Sequence, residues 1–352
     1  MEDFYIVKAS DPRWDFAFNK LPKSQQDVFF TSQYAQICAK FIFPNSNIYC
    51  AIQLKNDNVL LYPFVQRSIR SLSNQIESPD YQDIRGIYGR AGVAISSNDL
   101  YLSKLFWINF SKYCEENSII TSFARVHPEM VEPYLSQSNF TLTEMGSEVI
   151  IDTTEKIDRI LKGAHHSVRK NLRKAQDSGL KFSEATGIKN TKTIFAIYNE
   201  TILRNNATEF YNFPIEFFES LLQSEYLSAK LYTATLDDEV VSFEIVLLSE
   251  MYSHSFLGGT ITSQLKTQAN TFLKVNIMEE LNKLRVKKFY LGGGAKISDN
   301  IFKYKSSFSP KSIHKSFIES SILNFKKYDE VKDFFSRNKL NIDSSRIQFY
   351  DL

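Results

Sequence analysis

"KKFYLGGGAKISDNIFKYKSSFSP", residues 287–310, decides how the rest of the chain is read. An apolar, aromatic run enters three glycines and leaves through alternating lysines and aromatics. Clustered glycines are costly to order, so they mark backbone that turns sharply or approaches something closely. The run before them reads as a strand, and its free N–H groups beyond the last paired residue could receive an oxyanion or a phosphate. "FKYKSSF" alternates, which predicts an extended segment with Lys303 and Lys305 on one face and Phe302 and Tyr304 on the other. The pattern is neither GxGxxG opening a helix nor GxxxxGK[ST], so it does not support dinucleotide or P-loop binding. Taken alone it would also fit an ordinary tight turn.

Thirty residues upstream, "FLGGT" at 256–260 repeats the theme and places Gly258 and Gly259 at a second strand end, where they would let backbone come close to a substrate. Between the two lies "TQANTFLKVNIMEELNKLRV", a long helix. Upstream again, "SAKLYTATLDDEVVSFEIVLLSEMYSHSFLGG" reads as three antiparallel strands turned at "LDDE" and near "LSEM". Helices "TEKIDRILKG", "HHSVRKNLRKAQDSG", "KNTKTIFAIYNETILRN" and "PIEFFESLLQSEY" precede them, with "LKFSEAT" as an intervening strand, and "IHKSFIES" plus a terminal helix close the chain. The first half has a similar mixture: strands "FYIVKAS", "NIYCAIQL", "NVLLYPFVQRSI" and "SIITSFARV", helices "TSQYAQICAKF" and "DLYLSKLFWINFSKYCEEN", a short helix "HPEMVEPYLSQS" and a strand "FTLTEMGSEVIID". The fold class is therefore α/β with mixed sheets. At 352 residues two units are expected, at 1–152 and 153–352.

Composition excludes several classes. A hydrophobic fraction of 43% with 12 glycines and 9 prolines is that of a folded globular chain, not a fibrous or low-complexity one. The acidic start "MEDFYIVKAS" does not read as a secretion signal, and no apolar run is long enough to span a bilayer. Cys38, Cys50 and Cys114 are an odd number without CxxC spacing, which predicts reduced thiols and a cytoplasmic setting. Five histidines offer no HExxH pattern, so no metal site is expected. There is no G-x-S-x-G elbow either.

The formal charge of +2 is unevenly spread. Residues 162–174 carry Lys162, Arg169, Lys170, Arg173 and Lys174 with no acid, and residues 287–315 carry seven lysines against Asp299 alone. The rest of the chain is net acidic, and two basic patches on such a background point to a polyanionic ligand. On the helix 165–179, Val168, Leu172 and Ala175 share the core face. Arg169 with Arg173, and Lys170 with Lys174, then stack as like-charged i,i+4 pairs, which repel unless an anion lies beside them. A solvated basic face is the plainer alternative. "DIRGIYGRAGVAIS", 83–96, spaces Gly86, Gly89 and Gly92 around Tyr88 and Arg90, a loop that fits either a substrate lining or an ordinary surface. Glu244 interrupts the apolar "VVSFEIVLL", as a candidate base or, more simply, a structural hydrogen-bond partner, and His254 reads as a satisfied core histidine.

In order, "IYGRAGVAIS", "FARVHPEMVEPYL", "HHSVRKNLRKAQDSGL", "HSFLGGT", "FYLGGG" and "FKYKSSFSP" resemble the FemA/FemB/FemX-like branch of the GNAT superfamily, also described as BioF2-like. The resemblance covers about residues 80–310 and is carried most specifically by the basic helix and by LGGG with FKxKxxF. It implies tandem GNAT-like units, an acceptor side followed by a donor side. It also implies direct attack by a substrate amine on an activated acyl group, with acyl-CoA or aminoacyl-tRNA as co-substrate and no bound cofactor. The acceptor would be a small-molecule or lipid-linked envelope precursor, such as a peptidoglycan peptide or a surface-polysaccharide amino sugar, with tRNA a possible partner and DNA none.

Carried onto this chain, Lys305 would be the catalytic residue, contacting the donor phosphate or stabilising the developing oxyanion, with Tyr304 packed beside it. Arg169, Lys170, Arg173, Lys303 and the Gly292, Gly293, Gly294 backbone would hold the donor. Tyr88, Arg90, Gly258 and Gly259 would line the acceptor. The chain departs from the family in lacking a coiled-coil arm, in showing no glycine-spaced acetyl-CoA loop in "TITSQLKTQANTF", and in carrying Ile87 where a proline usually precedes the YGxxG loop. A rival reading on the same fold is a non-catalytic RNA-binding or regulatory protein. Oligomeric state leaves no mark on the sequence.

Overall fold

The computed structural model describes residues 2–73, 79–134, 140–185, 187–225, 227–294 and 299–351. In chain order the elements are β1 (Glu2–Lys8), α1 (Pro12–Lys20), α2 (Ser32–Phe41), β2 (Asn47–Lys55), β3 (Asn58–Ser68), α3 (Ile69–Ser73), β4 (Gln82–Gly86), β5 (Ala94–Ile95), α4 (Leu100–Glu116), β6 (Ile119–Val126) and β7 (Leu142–Asp152). There follow α5 (Ile157–Gly163), α6 (His166–Asp177), β8 (Lys181–Ala185), α7 (Gly187–Arg204), α8 (Ile215–Gln223), β9 (Ala229–Leu236), β10 (Glu239–Leu248) and β11 (Tyr252–Thr260). The chain ends with α9 (Ala269–Lys283), β12 (Lys288–Gly292), α10 (Asn300–Phe308), β13 (Ile313–Ile322) and α11 (Phe325–Arg337).

The chain divides into one unit of residues 1–145 with 316–352 and a second of 146–315. The boundary expected at 152, with everything after it in one unit, differs at both ends. The reason is long-range: residues 317–322 of β13 pair antiparallel with β6. In addition, Val331 and Phe335 of α11 bury against Ile69 and Ile120, and the Arg67 guanidinium, 4% exposed, reaches Asp83 and the C-terminal Asp351 and Gln348. Nothing local to residues 316–352 announces this return.

In the first unit the strand order is β1-β2-β3-β4-β6-β13, with β5 on β3. Asp99 caps α4, accepting from the N–H groups of Tyr101 and Leu102. Leu102, Phe106 and Phe110, four apart, then bury one face of that helix onto Tyr62 and Phe64 of β3. "HPEMVEPY", expected as one short helix, forms two 3-10 turns, Pro128–Met130 and Glu132–Tyr134; residues 135–139 lie outside the described residues.

In the second unit the order is β7-β12-β11-β10-β9-β8. β8 to β11 form an antiparallel meander, and β12 then joins β11 in parallel. A parallel neighbour needs a crossover, and α9 supplies it. α9 packs with α5, α6 and α10 over the sheet face that carries Val246, Leu248 and Tyr232. The opposite face takes α7, whose Ile197 lies over Gly259.

Candidate functional site

β11 is where the second unit departs from a regular sheet. It pairs with β12 at only three positions, Tyr252 with Lys288, Ser253 with Phe289 and His254 with Tyr290. Beyond His254 it continues to Thr260, while β12 is drawn to β7, Gly292 opposite Val149. On its other side β11 bulges against β10: Val246 faces Ser255 and Ile245 faces Leu257, so the register shifts across Phe256. A bulge bends its strand and re-aims the residues beside it. Here it falls just past the point at which the parallel neighbour parts, so residues 256–258 border a wedge between two strands.

Beneath this point lies a buried ion pair. Lys274 of α9 donates to Glu244 of β10 at 2.5 Å and to the Ser255 hydroxyl at 2.8 Å, both charged side chains being 8% exposed. Glu244 is thus held by a cation, in keeping with the plainer of its two sequence readings. His254 is buried and stacks on Tyr290 with ring centroids 4.8 Å apart.

The glycines after β12 each make room for something. Gly292 has φ +74°, a left-handed conformation that favours glycine. A side chain on Gly294 would collide with the Asp299 carboxylate, which caps α10 by accepting from the Phe302 N–H at 2.7 Å. One on Gly293 would press on the Ser147 carbonyl. The Lys305 ammonium donates to the Gly293 carbonyl at 2.8 Å and so braces this turn. Residues 295–298, with Lys296, lie outside the described residues.

"FKYKSSF" is helical and not extended, which corrects the expectation from its alternation. The Asp299 cap and the i,i+4 pair Tyr304–Phe308, rings 5.1 Å apart and edge-on, outweigh four residues of period two. On a helix Lys303 and Lys305 lie on different sides. Lys305 turns to the glycine turn. Lys303, exposed, lines a cavity of about 520 Å³ with Tyr304, with Thr271 of α9, and with His165, Ser167 and Asn171 at the start of the basic helix. α6 and α10 are further joined by the His165 N–H donating to the Ser307 carbonyl at 2.8 Å. The two basic segments both contribute to the lining of this cavity, with Lys303 the one lysine or arginine among the described residues that line it. The Tyr304 hydroxyl is buried without a hydrogen-bond partner among the described residues, and burial, with the nearby Glu244 charge, pushes its pKa up.

The other expected residues sort differently. Arg169 donates through Nη1 to the carbonyls of Leu161 and Ala164 at 2.8 and 2.7 Å, closing the last turn of α5. This gives it a structural task that needs no anion. Lys170 and Arg173 are exposed. Gly259 is explained by packing: a Cβ there would meet Thr201 Oγ1 at 2.8 Å and the Ile197 carbonyl at 3.1 Å. Gly258 is exposed opposite Glu244. Tyr88 and Arg90 belong to the first unit, where Tyr34 donates to the Tyr88 carbonyl at 2.9 Å, Phe29 fills the space beside Gly89, and Arg90 is buried. Sequence reasoning missed the strand split and the Phe256 bulge, which have no local signature, and Lys274, hidden in an apolar helix.

Three thiols complete the chemical inventory. All are in the first unit and buried, and burial pushes each pKa up, so none is a poised nucleophile. No helix among the described residues is long and apolar enough to cross a membrane.

Residues 162–306 match the model of an acetyltransferase (GNAT) domain, a span that holds the basic helix, the split, the bulge, the glycine turn and Lys305. Among solved structures, FemX has 9% identity and a TM-score of 0.70, the alignment covering 93% of this chain and 99% of that one. The structure of L-PGS from Bacillus licheniformis has 11% identity and a TM-score of 0.54 over 83% and 91%. A tandem GNAT protein from the clavulanic acid biosynthesis pathway has 10% identity and a TM-score of 0.51 over 92% and 99%. No curated protein matches the chain.

Proposed function

We propose that this chain, a GNAT-fold acyltransferase of FemX-like architecture, moves an acyl or aminoacyl group from a phosphate-bearing donor to an amine of a cell-envelope precursor. The observation that carries the reading is the parting of β11 from β12 beside the Phe256 bulge. An extended donor arm laid in the wedge can complete the open edge of β11 through main-chain hydrogen bonds, as added strands do. Its carbonyl carbon would then lie beside the main chain of β11 where the register shifts.

The chemistry follows from that placement. The neutral amine forms a C–N bond to the carbonyl carbon, and the resulting oxyanion is met by preorganised backbone donors in a site of low dielectric. Collapse breaks the C–S bond of a thioester or the C–O bond of an aminoacyl ester, the leaving group takes the electron pair, and the amine proton passes to water or to the leaving group. Both substrates are held together, so positioning supplies much of the rate and no covalent enzyme intermediate is needed. Lys303 at the cavity, with the exposed Lys170 and Arg173, would meet the donor's phosphates. Lys305, through the Gly293 carbonyl, would hold the turn against which the donor lies. The FemX and L-PGS folds support an envelope acceptor and leave both acyl-CoA and aminoacyl-tRNA as donors.

The test is a thermal-shift and transfer screen with acetyl-CoA, longer acyl-CoAs and charged tRNA, repeated with Lys305→Ala. A donor should raise the melting temperature, and the variant should lose about a hundredfold in kcat while staying folded. A wild-type protein that binds tRNA and transfers nothing would favour the non-catalytic reading; full turnover in Lys305→Ala would remove that residue from the site.

A further inference from the structure

Resting on the acyl-transfer reading, the geometry points to Lys274 and Glu244 as positioning residues that fix the donor-facing backbone of β11. A buried ion pair is a poor device for stability, because desolvating two charges costs about as much as their attraction returns, and apolar replacements of similar volume are often neutral or better. Its location suggests another task. Ser255, which receives the second hydrogen bond from Lys274, sits between His254, the last residue paired to β12, and Phe256, the bulged one. At this residue β11 loses its neighbour on one side and its register on the other.

A strand segment that has lost its parallel neighbour and shifts register against the other depends more on side-chain anchors than one paired evenly on both sides. The Lys274 ammonium supplies such an anchor. It ties β11 through Ser255 and β10 through Glu244 to α9, the helix that carries the chain from β11 to β12. The same helix presents Thr271, one turn before Lys274, to the cavity lined by Lys303 and Tyr304. A donor seated in the cavity and the backbone that meets its carbonyl are thus referred to one rigid element. With Lys274 in place the N–H groups after Ser255 keep one direction; without it they sample several.

The experiment compares wild type, Lys274→Met and the double variant Lys274→Met/Glu244→Leu by amide hydrogen exchange read peptide by peptide. In both variants peptides covering 255–258 should exchange about tenfold faster while those from β9 and α7 keep their protection. The double variant, which leaves no unpaired buried charge, should recover the melting temperature lost by the single one without recovering protection at 255–258. Unchanged exchange at 255–258, or a uniform rise across the second unit that disappears in the double variant, would overturn the assignment. Where wild type turns over a donor from the screen, the double variant should lose kcat at least about thirtyfold with its donor Kd within about twofold, the split expected of a lost transition-state contact. Failure of wild type to transfer any acyl group counts against the acyl-transfer reading and leaves the exchange result to decide the role of Lys274.

Discussion

Glu319 of β13 is fully buried in the first unit and receives a hydrogen bond from the Ser122 hydroxyl at 2.5 Å. Its Oε1 and the Tyr62 hydroxyl nearby are both buried without a partner among the described residues. Burial raises its pKa from 4.5 to about 7, against a smaller opposing contribution from the hydroxyls of Ser122 and Ser321. Below 4.5 both folded and unfolded chains carry the proton. Between 4.5 and about 7 the unfolded chain releases it while the folded chain retains it, so stability falls as pH rises through this window and levels off above it. At 1.36 kcal/mol per pKa unit, the loss is about 3 kcal/mol. Glu319→Gln removes the titration while keeping the shape. Urea unfolding should therefore show wild type and variant within about 1 kcal/mol of each other at pH 4.5, and the variant more stable by about 3 kcal/mol at pH 8. A stability difference that does not change with pH would refute the argument, since it would mean that the carboxyl is solvated or ionised in the folded chain throughout.

The contrast between the cations of α6 can be read in one pair of variants. Arg169→Ala should lower stability by about 2 kcal/mol, from two lost hydrogen bonds to α5, and leave the salt dependence of donor binding unchanged; Lys170→Ala/Arg173→Ala should do the reverse, weakening a phosphate-bearing donor most at low ionic strength, as titration calorimetry at two salt concentrations would show. Gly259→Val should cost about 1–3 kcal/mol by wedging α7 away from β11, measured by urea unfolding, whereas Gly258→Ala, at an exposed position, should cost less. Arg67→Met strands Asp83 in the core and should destabilise the first unit by about 3–5 kcal/mol, with protease sensitivity appearing first in residues 338–351, whose anchor is lost.

Where each expectation held or failed follows from the range over which the deciding interaction acts. Meander strands β9 to β11 and helices α4, α6 and α9 were readable because their periodicity is local and their caps adjacent, as with Asp99 before α4. α1 has a local signal as well, Asp11 as cap and Pro12 in the first turn, but it buries only Trp14 and Ala17, too few positions for a helical period to stand out. By contrast, "FKYKSSF" offers period two over four residues and a helix cap at Asp299, and the cap wins because α10 can then bury Tyr304 and Phe308 together. The split after His254 and the return of residues 316–352 to the first unit depend on pairings between segments far apart, whereas the bulge at Phe256 lies within a hairpin and is a shift of register that side-chain alternation does not mark.

The two glycine clusters carry the same lesson in sharper form. Gly259 is small because a helix backbone lies against it, while Gly293 and Gly294 are small because a carbonyl and a carboxylate do, and Gly292 because its backbone must turn. The letters report that something approaches within the reach of a missing Cβ; the approaching group has to be found in three dimensions. That is why the first cluster, expected to face substrate, is largely packing, and why the candidate chemistry moves a few residues upstream. Phe256, unremarkable in sequence, gains its place by lying where β11 shifts register against β10 just after β12 has parted from it, the stretch of main chain against which the proposed donor arm would lie.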